Sequence, residues 1–259
     1  MKVSVITVVL NNFEKVERAI KSVKGQTYED LEYIVIDGGS TDGTVDVIKK
    51  YGGFISKWVS EPDGGIYDAF NKGIRLSTGD VVGFLGSDDF YAEATVIEKV
   101  VGRFKESGAD GVYGDLLYVN REGRIIRYWR GGKYRRELIQ RGWMPPHPTL
   151  FLKNELYRTY GLYRTDMRVS ADYEMCLRLL WKANIKLDYI PEVLVIMERG
   201  GISNRSIMSK IRTMIEDYRA IKDNEVGGID LVILKRLTKM HQFIKLRSDV
   251  YKGDVIVWF

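Results

Sequence analysis

Two adjacent carboxylates, Asp88 and Asp89, are the residues whose types and position most clearly suggest chemistry. They follow residues 81–85 (VVGFL), a short apolar run typical of a strand covered on both faces in a mostly parallel sheet. In open α/β sheets the ligand site lies beyond the carboxyl ends of the strands. Because neighbouring residues of an extended segment point to opposite sides, one acid could bind a divalent cation while the other binds a hydroxyl or joins the metal site. A simple polar turn is the alternative, since Asp and Ser favour turns.

The chain before the acid pair is predicted to contain three strands, each followed by a helix. The strands are expected over residues 2–10, 31–36 and 54–59, and the helices around 13–23, 45–49 and 66–76. With residues 81–85 this gives a β-α-β-α-β-α-β order, whose spacings suit right-handed crossovers and a parallel sheet. The elements would therefore bring the ends of several strands to one edge.

Polar residues end the strands at this edge. Asn11 follows the first strand and Asp37 follows the second, so both are expected to converge with the acid pair. The glycine-rich fingerprint of dinucleotide folds is absent after the first strand, and so is the phosphate-binding P-loop motif. What remains is a nucleotide site built from acids and loop backbone, with a metal ion to offset the charge of phosphates.

Composition narrows the class of protein. The 259 residues suffice for one large α/β domain or two small ones, and the net charge of +5 favours anionic partners. A single cysteine, Cys176, excludes an internal disulfide and fits a reducing cytosol, while two distant histidines disfavour a His-rich zinc site. No stretch reaches the roughly 20 apolar residues needed to span a bilayer, and residues 1–12 predict a strand rather than a signal peptide.

Several ordered motifs lie along the first half of the chain. They are residues 3–7 (VSVIT), 22–28 (SVKGQTY), 36–44 (IDGGSTDGT), 61–73 (EPDGGIYDAFNKG) and the acid pair. Together they resemble glycosyltransferase family 2, the inverting nucleotide-sugar enzymes of the GT-A fold, and the motif at 61–73 is similar to members that build bacterial surface polysaccharides. The resemblance is dense over residues 3–92 and sparser over 145–200.

The resemblance implies a fold and a domain plan. The fold is α/β, with a GT-A type, mostly parallel central sheet flanked by helices. Residues 1–200 would form the GT-A domain, with a Rossmann-like nucleotide-sugar-binding half over 1–92 and an acceptor-binding half over 93–200. Residues 201–259 would form a helical C-terminal extension.

The resemblance also implies the donor and metal sites. Asp89 would hold Mn²⁺ or Mg²⁺ against the diphosphate, Asp88 would contact the ribose or sugar, and Asp37 would lie beside the nucleobase. Many relatives carry a second acid where this chain has Gly38. A solvated helix face is the alternative for Asp68 and Asn71. The full predicted donor set is Thr7 and Leu10 (through their backbone), Asp37, Asp63, Asp68, Asn71 and Asp88.

The family's catalytic base is expected at the start of a later helix. Asp172 aligns with that base, Glu174 is its nearest rival, and Ala171 replaces the usual preceding Glu. Acids in a first helical turn are also favoured by the helix dipole alone. His147, in a proline-rich loop, and Glu174 are the predicted acceptor-side residues, although a structural histidine is the alternative for His147.

Two later segments carry positive charge. Residues 121–136 hold a ladder of seven Arg and Lys residues among aromatic residues, which could be solvated, bind an anionic acceptor or bind single-stranded nucleic acid. Residues 231–240 form an amphipathic basic helix that either packs on its own domain or lies on an anionic membrane. Residues 196–203 could form a loop that closes over the donor phosphates.

The sequence therefore predicts a metal-dependent inverting glycosyltransferase. It would move one sugar from a nucleoside-diphosphate sugar, most simply a UDP-sugar, to a glycan or lipid-linked acceptor in surface polysaccharide synthesis. The processive Gln-x-x-Arg-Trp signature is absent. The alternatives are a nucleotidyltransferase of similar build and a non-enzymatic nucleic-acid binder, and no nucleic-acid partner is expected under the leading interpretation. The expected location is cytoplasmic, with peripheral contact on the inner face of the membrane.

Overall fold

A curled mixed sheet forms the centre of the protein. The computed structural model describes residues 1–198 and 207–244. Within these residues the strand order is β3-β2-β1-β4-β8-β6-β9-β5, and β7 pairs with β6. The strands are β1 Val3–Val9, β2 Leu31–Asp37, β3 Lys57–Ser60, β4 Val81–Phe84, β5 Asp89–Tyr91, β6 Gly111–Val119, β7 Ile125–Trp129, β8 Phe151–Lys153 and β9 Leu187–Glu198.

Helices flank this sheet and follow most of its strands. They are α1 Phe13–Lys24, α2 Thr44–Lys50, α3 Ile66–Leu76, α4 Val96–Ser107, α5 Asn154–Tyr160, α6 Ala171–Leu177, α7 Ile207–Asp223 and α8 Ile229–Ile244. Two 3₁₀ turns, Arg136–Arg141 and His147–Thr149, and a π-helical turn, Arg178–Lys182, complete the described elements.

The first half is the parallel part of the sheet. Strands β1 to β4 pair only in parallel with one another, and every residue of β1 and β4 is buried. Apolar, β-branched residues form such strands because both faces are covered by helices. The predicted β-α-β-α-β-α-β order is confirmed. The third strand was expected to begin at residue 54 but is shorter, because Phe54 and Ile55 lie in the turn that follows α2.

The second half mixes strand directions. Strand β8 lies antiparallel between β4 and β6, whereas β6 and β9 run parallel. Strand β8 begins at Phe151, shortly after the 3₁₀ turn His147–Thr149. Of the loop expected over 196–203, Ile196 to Glu198 belong to β9, and the remainder lies outside the described residues. The expected α/β fold with flanking helices is confirmed.

The acid pair takes a different local structure from the extended one that we expected. Asp88 lies in a turn after β4, and Asp89 is the first residue of β5, which pairs antiparallel with β9. The pair is therefore held between the parallel half and the distant strand β9. The polar-turn alternative is therefore correct for Asp88.

The helical C-terminal region packs on the second half. Helix α7 contacts α6, and α8 contacts β7 and the turn Arg136–Arg141. Lys235 of α8 is buried, with its ammonium group 2.7 Å from Asp217 and over the ring of Tyr173. The packing alternative is thus confirmed for Lys235, which does not face outward. None of the described helices is long and apolar enough to cross a membrane.

Candidate functional site

The turn that carries the acid pair depends on glycine. The backbone N–H of Asp89 donates to the carbonyl oxygen of Gly86 at 3.0 Å. A Cβ atom at Gly86 would lie 2.6 Å from Asp89 Oδ2, so a larger residue would displace this carboxylate. Asn12, directly after β1, donates from Nδ2 to Ser87 Oγ at 2.9 Å. The end of β1 and the acid turn therefore form one edge, as the sequence predicted.

Asp89 is a buried acid whose hydrogen bonding is incomplete. Its side chain is 1% exposed, and Oδ1 has no hydrogen-bond partner among the described residues. Burial, followed by the negative charge of Asp88, raises the pKa of Asp89 well above its usual value. A buried orphan carboxylate oxygen normally has a bound ion, a water molecule or a special chemical role. This environment fits a cation-binding residue.

The chemistry of the site sets how a metal ion would be held. The described residues contain no group of three or more His, Cys, Asp or Glu side chains placed to bind one ion. Mg²⁺ is commonly held by one or two carboxylates together with substrate phosphates and water. Asp89 and Asp88 therefore fit an ion whose remaining ligands come from outside the protein.

A basic cluster supports the acid turn. Arg18 of α1 donates to Glu198 at 2.6 Å and to the carbonyl oxygen of Asp88 at 3.3 Å, and its guanidinium lies 4.5 Å from the ring centre of Phe90. Lys15 also pairs with Glu198, at 3.1 Å. Although burial acts to raise it, hydrogen bonds from Arg18 and Lys15 hold the pKa of Glu198 below its usual range. Sequence reasoning missed this cluster, because Arg and Lys on the polar side of a helix look like solvated residues.

Asp37 closes the loop after β2. It is fully buried and accepts hydrogen bonds from the N–H groups of Gly39 and Ser40, at 3.1 and 2.9 Å, and from Ser60 Oγ at 2.7 Å. The Ser40 hydroxyl donates to its second oxygen. Both oxygens of its carboxylate are thus bonded by loop donors at the predicted nucleobase side. Thr7 lies inside β1, where its buried hydroxyl accepts a bond from Tyr33.

Asp63 occupies the space beside Gly38. A Cβ atom at Gly38 would lie 2.6 Å from Asp63 Oδ2 and 3.5 Å from Leu10 Cδ1. Asp63 also accepts a hydrogen bond from the N–H of Gly65 at 2.8 Å. The carboxylate of Asp63 therefore sits next to the position where many relatives carry their second acid. Leu10, Gly38 and Asp63 form one cluster at this edge.

Helix α3 connects the two halves. Asp68, in its first turn, accepts a hydrogen bond from the N–H of Gly64 at 3.0 Å. Asn71 is 2% exposed, and its amide bonds both the carbonyl oxygen and the N–H of Tyr163, at 2.8 and 2.9 Å. The solvated-face alternative is wrong for Asn71. Because its amide is bonded to the backbone of Tyr163, Asn71 is not part of the proposed donor site.

Asp172 lies in the first turn of α6 and is partly exposed. Its Oδ1 accepts hydrogen bonds from the hydroxyl of Tyr67, at 3.2 Å, and from the N–H of Tyr173, at 2.8 Å. Sequence reasoning missed Tyr67 as the partner of Asp172, because the two residues are 105 positions apart.

His147 lies between the acid turn and α6. Its Nε2 is 2.8 Å from the hydroxyl of Tyr163, and its ring stacks on those of Phe70 and Phe84 at 5.8 and 5.9 Å. Burial lowers the pKa of His147, and the charge of Asp172 opposes this shift. The ring is therefore neutral at pH 7, and it packs on the residue that ends β4.

Glu174 has a structural environment. It is 4% exposed, and its two oxygens accept bonds from Arg178 Nε and Nη2 at 3.1 and 2.9 Å. Asn224, directly after α7, donates from Nδ2 to the same carboxylate at 3.4 Å. This burial argues against the predicted acceptor contact of Glu174 and against its use as the base.

Glu216 of α7 is a site-supporting residue that sequence reasoning missed. Its carboxylate accepts hydrogen bonds from three successive N–H groups, those of Arg168, Val169 and Ser170, at 3.0, 2.8 and 3.0 Å. These residues lead directly into α6. The C-terminal region therefore fixes the backbone in front of Asp172. The burial of Glu216 is visible only in the structure, so the sequence alone offered no signal for it.

Two aromatic residues of the basic ladder, Tyr128 and Trp129, are covered by the chain's own cations. Arg127 lies over the rings of Tyr118 and Trp129, and Arg130 lies over Tyr128. Bases of single-stranded nucleic acid bind by stacking on open aromatic faces. The arrangement does not favour that alternative.

Comparison with known proteins agrees with this geometry. The model of Glycosyl transferase family 2 matches residues 4–164. An uncharacterized glycosyltransferase of Mycobacterium tuberculosis is 33% identical over 192 residues, which cover 68% of each chain. A PGL/p-HBAD biosynthesis glycosyltransferase of Mycobacterium bovis is 31% identical over 208 residues, or 78% of each chain.

Solved structures with this fold include two transferases at 15% sequence identity. TarS of S. aureus has a TM-score of 0.67, over 96% of this chain and 46% of TarS, so the chain spans about half of that protein. A shorter form, TarS 1–349 in complex with UDP-GlcNAc, has a TM-score of 0.65 over 97% of this chain and 68% of that form. The mannosyltransferase PcManGT of Pyrobaculum calidifontis, in complex with GDP-Man and Mn²⁺, has a TM-score of 0.64 over 96% of this chain and 76% of its own.

Proposed function

Because the chain belongs to glycosyl transferase family 2, we propose that it is a metal-dependent inverting enzyme that transfers one sugar from a UDP-sugar to a glycan or lipid-linked acceptor. The observation that carries the proposal is the buried Asp89 carboxylate at the end of the parallel strands, with one oxygen unpaired. Ligand sites of such sheets lie at that edge. The product would enter a surface polysaccharide or glycolipid, as the name of the PGL/p-HBAD relative suggests.

The donor would lie along the edge formed by the ends of β1, β2 and β4. Leu10 and Asp63 border the nucleobase side, Asp68 lies in the helix that follows Asp63, and Asp88 would bind the ribose or sugar. A uracil base is supported by the UDP and UDP-GlcNAc complexes of TarS, although PcManGT binds GDP-Man. The side chains of Thr7 and Asp37 are bonded within the protein, so these two residues would support the wall of the donor pocket.

Asp89, with Asp88, would hold Mn²⁺ or Mg²⁺. When bound, the ion would offset the negative charge that develops on the departing diphosphate. Arg18 would keep the acid turn in place through its bond to the backbone of Asp88. The Mn²⁺ in the PcManGT complex supports the choice of ion.

Asp172 would be the catalytic base. Inversion requires a base that removes the proton of the acceptor hydroxyl on the face opposite the leaving group. Asp172 is partly exposed, whereas Glu174 is buried in an ion pair. His147, neutral and packed on Phe84, would line the acceptor side without taking the proton.

The acceptor side would lie close to a membrane. Helix α7 exposes Met208, Ile211, Ile215 and Tyr218, with the exposed cations Lys210 and Arg212 among them. Apolar residues next to cations suit the surface of an anionic bilayer. Under this proposal the enzyme would work in the cytoplasm, in peripheral contact with the inner face of the membrane, where a lipid-linked acceptor would be available.

A nucleotide-release assay tests the proposal. UDP-glucose, UDP-galactose, UDP-GlcNAc, GDP-mannose and dTDP-rhamnose would be offered with water or alkyl glycosides as acceptors, with Mn²⁺ or with EDTA. We expect release from a UDP-sugar that EDTA abolishes. Asp89→Asn should remove it, whereas Asp46→Asn, at an exposed position on α2, should not. Undiminished release in EDTA, or no release from any donor, would refute the proposal.

A further inference from the structure

We propose that Tyr67 is a positioning residue for catalysis, which fixes one oxygen of Asp172 and leaves the other to receive the acceptor's proton. This inference rests on the proposed function, in which Asp172 is the base. The Tyr67 hydroxyl lies 3.2 Å from Asp172 Oδ1 and 2.8 Å from the carbonyl oxygen of Val169. It thus reaches both the carboxylate and the backbone three residues before it.

The ring of Tyr67 is itself held firmly. It is 7% exposed, it stacks on Tyr163 with ring centres 5.9 Å apart, and it meets Phe70 edge-on at 6.0 Å. One turn further along α3, Asn71 bonds both backbone groups of Tyr163. Helix α3 therefore contacts the segment in front of α6 at two residues, Tyr163 and Val169. The hydroxyl of Tyr67 cannot move away from Asp172 without disturbing this packing.

The two oxygens of Asp172 have different environments. Oδ1 accepts bonds from Tyr67 and from the N–H of Tyr173. Among the backbone groups and side chains that the structure describes, no donor is bonded to Oδ2. A base must present a lone pair in a fixed direction at the acceptor hydroxyl. Tying Oδ1 to two donors achieves this, because the carboxylate can no longer rotate freely.

Other groups around Asp172 do not take over this role. The negative charge of Asp172 acts to raise the pKa values of His147, Tyr163 and Cys176, but none of these three side chains is hydrogen-bonded to Asp172. Burial and the charge of Asp172 raise the pKa of Tyr67, so its hydroxyl keeps the proton that it donates. A hydroxyl has one proton, and an ionised carboxylate attracts it more strongly than the neutral carbonyl of Val169. The hydroxyl lies nearer to the carbonyl oxygen of Val169, at 2.8 Å, than to Asp172 Oδ1, at 3.2 Å, so the two acceptors compete for this proton and only the charge of the base favours Asp172.

A double-mutant cycle tests the inference. Tyr67→Phe, Asp172→Asn and the double variant would be compared with the wild type, using the fastest donor and acceptor from the release assay and a radiolabelled donor. Losing a hydrogen bond to a charged group should lower kcat about 10- to 100-fold in Tyr67→Phe. The Kd for UDP with Mn²⁺ should not change. In the Asp172→Asn background the same substitution should cost little, because coupled residues are non-additive.

Tyr157→Phe is the matched control. Tyr157 is a buried tyrosine whose ring packs against that of Tyr163, with ring centres 6.1 Å apart, and which does not bond Asp172, so this variant should keep the wild-type kcat. An equal loss from Tyr67→Phe in both backgrounds, or a loss explained by weaker UDP binding, would overturn the positioning role while leaving the proposed base intact. Wild-type turnover in Asp172→Asn would overturn both.

Discussion

Replacing Asp89 with Asn should stabilise the protein while it removes activity. Asp89 is buried with an unpaired oxygen, and an unsatisfied buried polar group costs on the order of 1–3 kcal/mol, more when charged. A neutral amide of the same shape lowers this cost. For a domain of about this size, 1 kcal/mol shifts the melting temperature by about 2–4 °C. We therefore expect Asp89→Asn to melt about 2–12 °C higher than the wild type at pH 7 without metal.

The pH dependence has a defined sign. Because the folded-state pKa of Asp89 is raised, its contribution to stability is fully present below the unfolded value of about 4 and is lost as pH rises through the folded pKa. The advantage of Asp89→Asn should therefore grow as pH rises from 4. Adding Mn²⁺ and UDP should raise the melting temperature of the wild type and not that of the variant.

A second buried acid provides the control. Asp115 is also buried, yet it accepts bonds from Tyr128, Tyr189 and the N–H of Gly131. Asp115→Asn should therefore destabilise the protein. Scanning calorimetry of both variants gives the comparison. If Asp89→Asn melts below the wild type across pH 5–8, Asp89 is not an uncompensated acid, and the reasoning that assigns it to a cation fails.

Three further substitutions have definite expected outcomes. Glu216→Gln should lower the free energy of unfolding by about 1.5–3 kcal/mol, because three N–H groups lose a charged acceptor. It should also lower kcat without changing the affinity for UDP. Denaturant melts measure the stability and calorimetry measures UDP binding; unchanged stability would contradict the prediction. Glu174→Gln should weaken the ion pair with Arg178 and lower the free energy of unfolding by about 1–3 kcal/mol. The folded variant should still transfer the sugar at the wild-type rate. A hundredfold slower transfer would instead indicate that Glu174 is the base. Gly38→Asp should push Asp63 aside and weaken UDP binding in calorimetry; tighter binding would instead mean that the site accepts the second acid.

Local sequence signals were sufficient for the first half of the fold. Strand β1 (VSVITVV) contains only apolar residues and two small hydroxyl residues, so its burial follows from composition. Glycines and short polar residues after β2 and β4 placed the turns. Even the role of Asp37 follows a local rule, since an Asp side chain readily bonds N–H groups two and three residues ahead.

The rest of the site depends on distant partners that no local pattern reveals. Asp89 begins a strand because it pairs with β9, more than a hundred residues later. Tyr67 reaches Asp172 across a similar separation, and Glu216 holds the approach to α6 from the C-terminal region. A single sequence shows the types of these residues but not their neighbours. For this reason Asn71 was assigned to the donor and Glu174 to the acceptor, although both bond the protein itself.

The transfer rate and donor affinity of Asp172→Asn test the central claim most directly. If Asp172 is the base of an inverting transfer, the variant should bind the nucleotide-sugar and Mn²⁺ as the wild type does, yet transfer about 10²- to 10⁴-fold more slowly. Isothermal calorimetry and single-turnover kinetics on the same preparation measure both quantities. A variant that transfers at the wild-type rate, or that fails because it no longer binds the donor, would contradict the account.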